Sequence, residues 1–139
     1  MSAQAIETYR SKKHLGLREQ VQALVEKDQN LVSLNPDVIG VLNLTSTMLN
    51  KSIIDANKSI RRLAMLFHVD YDELKAGERR KIPALFATGT KSTVTFYKTK
   101  RGDRRISIQK INKEAEAGDT LNLTYAHSAD GSLILVVRV

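Results

Sequence analysis

The sequence predicts an α+β protein: an N-terminal helical bundle followed by a small antiparallel β unit of two hairpins. Three observations carry this. Apolar residues recur at helical spacing up to Phe67 and alternate from Val94 onward. Glycine–aspartate pairs punctuate the second half, at Gly102-Asp103, Gly118-Asp119 and Asp130-Gly131. The charge is divided as well. Residues 1–78 carry ten Lys/Arg and ten Asp/Glu, whereas residues 79–139 carry twelve and five, so the net charge of +7 arises in the second part. The expected organisation is a helical part over 1–78, a docked connector over 79–90 and a basic hairpin unit over 91–139.

Residues 3–30 place Leu17, Val21 and Leu24 about a turn apart, with Arg18, Glu19, Glu26 and Lys27 on the other side. This is an amphipathic helix, packed on its neighbours or used for dimerisation. Asn35-Pro36-Asp37 reads as a helix start, with Asn as N-cap and Pro at the first helical position. The apolar stretch Val38 to Phe67 is then two helices, interrupted at Asn43, Thr45 and Ser46.

Leu42 to Ile53 resembles the turn and second helix of a helix-turn-helix. Asn43 suits the left-handed turn, Thr45 the cap, and Leu49 and Ile53 the core. The resemblance implies that Ser46, Thr47, Asn50 and Lys51 point at a DNA groove. Arg62 to Leu74 resembles the closing segment of repressor-type domains, with His68 where glycine is usual and Asp70 capping a last short helix.

Ala76 to Thr90 holds Gly77, Pro83 and Gly89 beside the basic triplet Arg79-Arg80-Lys81, and reads as a link docked through Leu85 and Phe86. Lys91 to Lys113 follows. Val94, Phe96, Ile106 and Ile108 alternate on either side of Lys100-Arg101-Gly102-Asp103, a hairpin turn. Lys98, Lys100, Arg101, Arg104 and Arg105 therefore crowd the tip of a two-stranded ribbon. Within 79–113 eleven cations meet one acid, Asp103. Such a run marks a polyanion-binding surface, with an anionic protein or membrane surface, or a merely solvated face, as the alternatives.

Ile111 to Ala117 reads as one or two helical turns, Thr120 to Tyr125 alternates, and Leu133 to Val139 is apolar enough to be buried on both faces. Residues 94–139, through Ile106-Ser107-Ile108, Lys110-Ile111, Ala117-Gly118-Asp119 and Asp130-Gly131, resemble the swapped-hairpin fold of AbrB-like transition-state regulators and antitoxins. That resemblance implies a homodimer of interleaved hairpins, with the basic residues of the first hairpin lying on DNA. The apolar last strand, short of neighbours in so small a unit, also favours a dimer.

Function classes narrow accordingly. The chain has no cysteine, which removes disulfides, thiolate zinc sites and thiol catalysis, and fits a reducing cytoplasm. His14, His68 and His127 lie in three separate elements without metal-ligand spacing, and no Gly-rich phosphate loop occurs. No apolar run approaches the roughly 20 residues that span a bilayer. No catalytic residue, metal or cofactor is expected. With 5% aromatic residues, Tyr97 is the one candidate for base stacking. The expected function is a DNA-binding transcriptional regulator. It would use Arg79, Arg80, Lys81, Lys98, Lys100, Arg101, Arg104, Arg105 and Lys110, with Ser46, Thr47, Asn50 and Lys51 at the groove. Structured RNA is the alternative ligand, and an adaptor or inhibitor docked on a nucleic-acid machine such as a polymerase is the alternative role.

Overall fold

The computed structural model describes residues 31–35 and 37–139, so the helix expected over 3–30, and its reading as a dimer helix, lie outside the described residues. The rest corrects the expected fold class. In place of a helical bundle followed by a β unit there is one curled, half-barrel sheet of eight strands, with three short helices. The strands are β1 (Leu31–Leu34), β2 (Gly40–Asn43), β3 (Ile54–Asp55), β4 (Arg79–Phe86), β5 (Lys91–Lys98), β6 (Arg104–Ile108), β7 (Thr120–Ser128) and β8 (Leu133–Arg138). The helices are α1 (Ser46–Lys51), α2 (Lys58–Leu66) and α3 (Ile111–Glu114). The sheet runs β1-β7-β8-β4-β5-β6-β3, with β2 also on β7. Every contact between neighbours is antiparallel except β4 with β8.

The bundle is absent because its apolar run is used differently. Residues expected to form a helix before Asn43 are β2, whose Gly40 and Leu42 sit opposite Leu123 and Leu121 of β7. Asn35 does not cap a helix; its side chain accepts from the Asp37 amide (3.0 Å) in a local turn. Thr45 does cap α1, accepting from the Met48 amide (3.2 Å), as its position suggests. But α1 is six residues long and leads through Ser52 (φ 53°) into β3, so no helix-turn-helix pair forms.

Helix α2 covers the inner face. Its Ile60, Leu63 and Ala64 are fully buried. Gly40 lets it lie against β2: a Cβ there would meet Ile60 Cδ1 at 3.0 Å and Leu63 Cδ2 at 3.3 Å. Asn57 caps α2 by accepting from the Ile60 amide (3.0 Å), and its Nδ2 donates to the Val41 carbonyl (2.8 Å). Ser59 Oγ accepts from the Val41 amide (3.0 Å). The free edge of β2 is thus closed by side chains of α2.

Past α2 the chain turns at His68, with φ 61°. The Val69 amide reaches back to the Ala64 carbonyl (3.0 Å) and the His68 amide to Met65 (3.0 Å), a Schellman closure with a non-glycine residue in the left-handed position. His68→Gly should therefore raise stability by about 0.5–1 kcal/mol, read as a higher urea midpoint at an unchanged m value. Asp70 to Leu74 is a turn and not the expected last helix, with the Asp72 amide bonded to Asp70 Oδ1 (2.9 Å). Tyr71 and Leu74 still reach the core beside Leu63.

Residues 79–86, read as part of a connector, are β4, which lies between β8 and β5. Pro83 is tolerated there for a specific reason. Opposite it, Thr93 turns its carbonyl to the Gln109 amide (3.0 Å), so Pro83 and Thr93 form a non-hydrogen-bonded pair and β5 needs no N–H from Pro83. On the other side β8 pairs from Ala84 onward. Both edges of β8 are met within one chain, by β7 and β4, which removes the reason drawn from this strand for a homodimer. The core beneath the sheet includes Phe86, Val94, Phe96, Ile106, Leu121, Leu123 and Leu135.

Candidate nucleic-acid interface

Side chains alternate along a strand, so register decides which cations share a face. Arg79 lies opposite Tyr97, Tyr97 opposite Arg105, and Arg105 opposite Asp55, making one row across β4, β5, β6 and β3. Lys81, Thr95 and Ser107 form the next row, Pro83 and Thr93 the third, and Leu85 and Lys91 the fourth. These rows lie on the outer face, opposite the core of Phe96, Ile106 and Ile54, and within them Thr95 and Leu85 are themselves buried, Leu85 in a small second cluster with Ala126 and Val136.

The outer face is partly prearranged. The Arg79 guanidinium stacks over the Tyr97 ring, 4.5 Å from its centroid. Arg105 is largely enclosed, its side chain only 16% exposed: its Nη2 donates to Asp103 Oδ2 (3.3 Å), while its buried Nε lies 3.2 Å from Asp55 Oδ1 without a hydrogen bond. Arg105 thus fixes the row more than it offers a charge. Its backbone carbonyl accepts from the Tyr71 hydroxyl (2.7 Å), and burial drives the phenol well above its ordinary pKa.

The hairpin tip is a compact turn. The Thr99 amide donates to the Asp103 carbonyl (2.9 Å), the Gly102 amide to Thr99 (2.9 Å) and the Asp103 amide to Thr99 Oγ1 (2.9 Å), with Gly102 at φ 94°. Lys100 and Arg101 stand exposed at its apex. A bond from Arg101 holds the Asp103 carboxyl below its ordinary range, with Thr99 and the charge of Arg105 adding to this.

The expected basic residues thus divide. Arg79, Lys81 and Arg105 share the outer face with Lys91. Arg80, Lys98 and Arg104 have the opposite parity, Arg80 paired with Glu78 (2.7 Å) and Arg104 with Asp72 (2.7 Å). Lys110, at φ 67° before α3, lies past the end of β6. Acids from residues 1–78 therefore neutralise part of the basic run, and the division of charge along the sequence is not a division in space. Ser46, Thr47, Asn50 and Lys51 are exposed on α1, and no ion pair or hydrogen bond ties them to the cations of β4–β6 among the described residues.

Sequence reasoning missed Lys58, Arg61 and Arg62 of α2, which line a cleft with Arg104. Their signal was the absence of any acid between Lys58 and Leu66. Among the described residues no three His, Asp or Glu side chains come together as a metal site, and no helix is long and apolar enough to cross a membrane. The chain matches no protein-family model, no curated protein and no solved structure, so the reading of this face rests on its own chemistry.

Proposed function

We propose that the chain binds nucleic acid, with the phosphate backbone of duplex DNA lying across the outer face of β4–β6 and the turn 99–103. The row Arg79–Tyr97–Arg105, extended by Lys81, Lys91, Lys100 and Arg101, carries this reading. It sets Arg79 and Arg105 two strand spacings apart, with Tyr97 between them, on a sheet whose one carboxylate in these rows, Asp55, lies 3.2 Å from Arg105. Thr93 and Ser107, both part-exposed, add hydroxyls that can donate to phosphate oxygens. Transcriptional regulation follows if binding discriminates between sequences.

The test is a salt titration with duplex DNA, single-stranded DNA and RNA of matched length. Duplex DNA should bind with log K falling against log salt by about 0.9 per phosphate neutralised. A preference for single strands would move the reading to base stacking on Tyr97, and binding indifferent to salt would overturn it.

A further inference from the structure

Helix α2 breaks a local rule. Lys58, Arg61, Arg62 and Met65 fall on one face, opposite buried Ile60, Leu63 and Ala64. Its first turn holds no acid, and cations there oppose the helix dipole. A choice that costs the helix stability fits a ligand that supplies the missing negative charge.

This face, the turn Asp70–Asp72 and Arg104 enclose an open cleft of about 330 Å³. Arg104 Nη2 is held at 2.7 Å by Asp72, and Arg61 Nη1 donates to the Ala56 carbonyl at 2.7 Å, so both guanidinia are positioned in advance. Lys58 and Arg62 have no carboxylate partner among the described residues. Met65, 54% exposed, offers an apolar surface on the same side.

We propose that this cleft binds the phosphate of a nucleotide. A phosphomonoester dianion answers Lys58 and the two guanidinia of Arg61 and Arg62, which present paired N–H groups to phosphate oxygens. Met65 packs on the sugar or base, and Asp70 accepts from a hydroxyl or exocyclic amine. The volume is at the lower end of small-ligand sites, about 300–1,000 Å³. A continuous strand passes along a surface, as on the outer face, whereas a recess takes a strand end or a free nucleotide. The site lies on the other side of the sheet from the outer rows and stands whether or not those rows hold DNA.

The test uses the full chain with AMP, adenosine and oligonucleotides carrying a 5′-phosphate or a 5′-hydroxyl. A phosphate should improve binding at least about tenfold, in AMP over adenosine or in the phosphorylated strand over the hydroxyl one. Displacement of the phosphorylated strand by AMP assigns the site to free nucleotides as well as ends; a strand preference that AMP leaves untouched assigns it to ends. Lys58→Ala with Arg62→Ala should abolish the phosphate advantage and leave the salt slope set by Lys81 and Lys100 in place. Lys58→Glu should abolish it too while raising the melting temperature by about 2 °C, which separates loss of binding from loss of fold. If the phosphate makes no difference in either ligand pair, or if Lys58→Glu leaves its advantage intact, the proposal fails. Duplex binding by the outer face would be untouched by that failure.

Discussion

Replacing Phe96 with alanine is expected to cost about 3–5 kcal/mol, and to lower the melting temperature by roughly 10–20 °C. Phe96 is fully buried at the middle of β5, between Arg80 and Ile106 in the register. Its ring meets Tyr71 edge-on, at 6.2 Å and 82°. Removing it leaves a cavity under the hairpin and takes away the surface against which Tyr71 is held. Tyr71 in turn donates to the Arg105 carbonyl, so the loss reaches the row on the outer face. With total stabilities of about 5–15 kcal/mol usual for a domain, this loss removes between about a fifth and the whole of the stability. Urea unfolding followed by circular dichroism reads it. A loss below about 1 kcal/mol would mean that the hairpin is not packed on this core.

The second large effect concerns binding without loss of fold. Arg79, Lys81, Lys91 and Lys100 have no ion-pair partner among the described residues. Replacing all four with alanine should change stability by about 1 kcal/mol or less, the Arg79 stack on Tyr97 being the main item lost. Each phosphate contact removed should flatten the slope of log K against log salt by about 0.9, so the quadruple variant should flatten it by up to about 3.6. Arg104→Ala serves as the contrast, since Arg104 is already paired with Asp72; it should flatten the slope by well under the roughly 0.9 of one full contact. Arg105→Ala belongs to a different class. Its side chain is 16% exposed and bridges Asp55 and Asp103, so its loss should cost about 1–3 kcal/mol of stability. An unchanged slope in a folded quadruple variant would remove duplex DNA from the outer face.

The hairpin Lys91 to Ile108 was legible because each strand alternates and the turn carries Gly102 at a positive φ. The same holds for Thr120 to Arg138 around Asp130-Gly131. The Asp130 carboxylate accepts from the Ser128 and Ser132 hydroxyls and the Ser132 amide, which hold it at a pKa of about 2, a local signature of the turn. Val38 to Leu44 was misread because a short apolar run suits a helix or a buried strand equally, and the partner that decides, Leu121 to Leu123, is distant in sequence. Pro83 disguised β4, since proline is rare between two paired neighbours. The site was legible in part. Composition found the cations, but only the register shows that Arg79 and Lys81 share a face that Arg80 does not. Counting charge by segment hid the cleft of α2, because Asp55, Asp72 and Glu78 balance the first half in number while lying against Arg105, Arg104 and Arg80 in space.

The order of the strands in the sheet has a consequence for biosynthesis. Residues 40–43 leave the ribosome long before residues 120–123, yet β2 gains its strand neighbour only from β7. Between β5 and β8, β4 waits in the same way for residues 135–137 on one edge. The nascent chain can close the β4–β5–β6 meander early, since those contacts are local, but the rest of the half-barrel must wait. During that interval the apolar edge of β4 at Ala84-Leu85-Phe86 is unpaired, and it is the place where a stalled or truncated chain would be expected to associate with others.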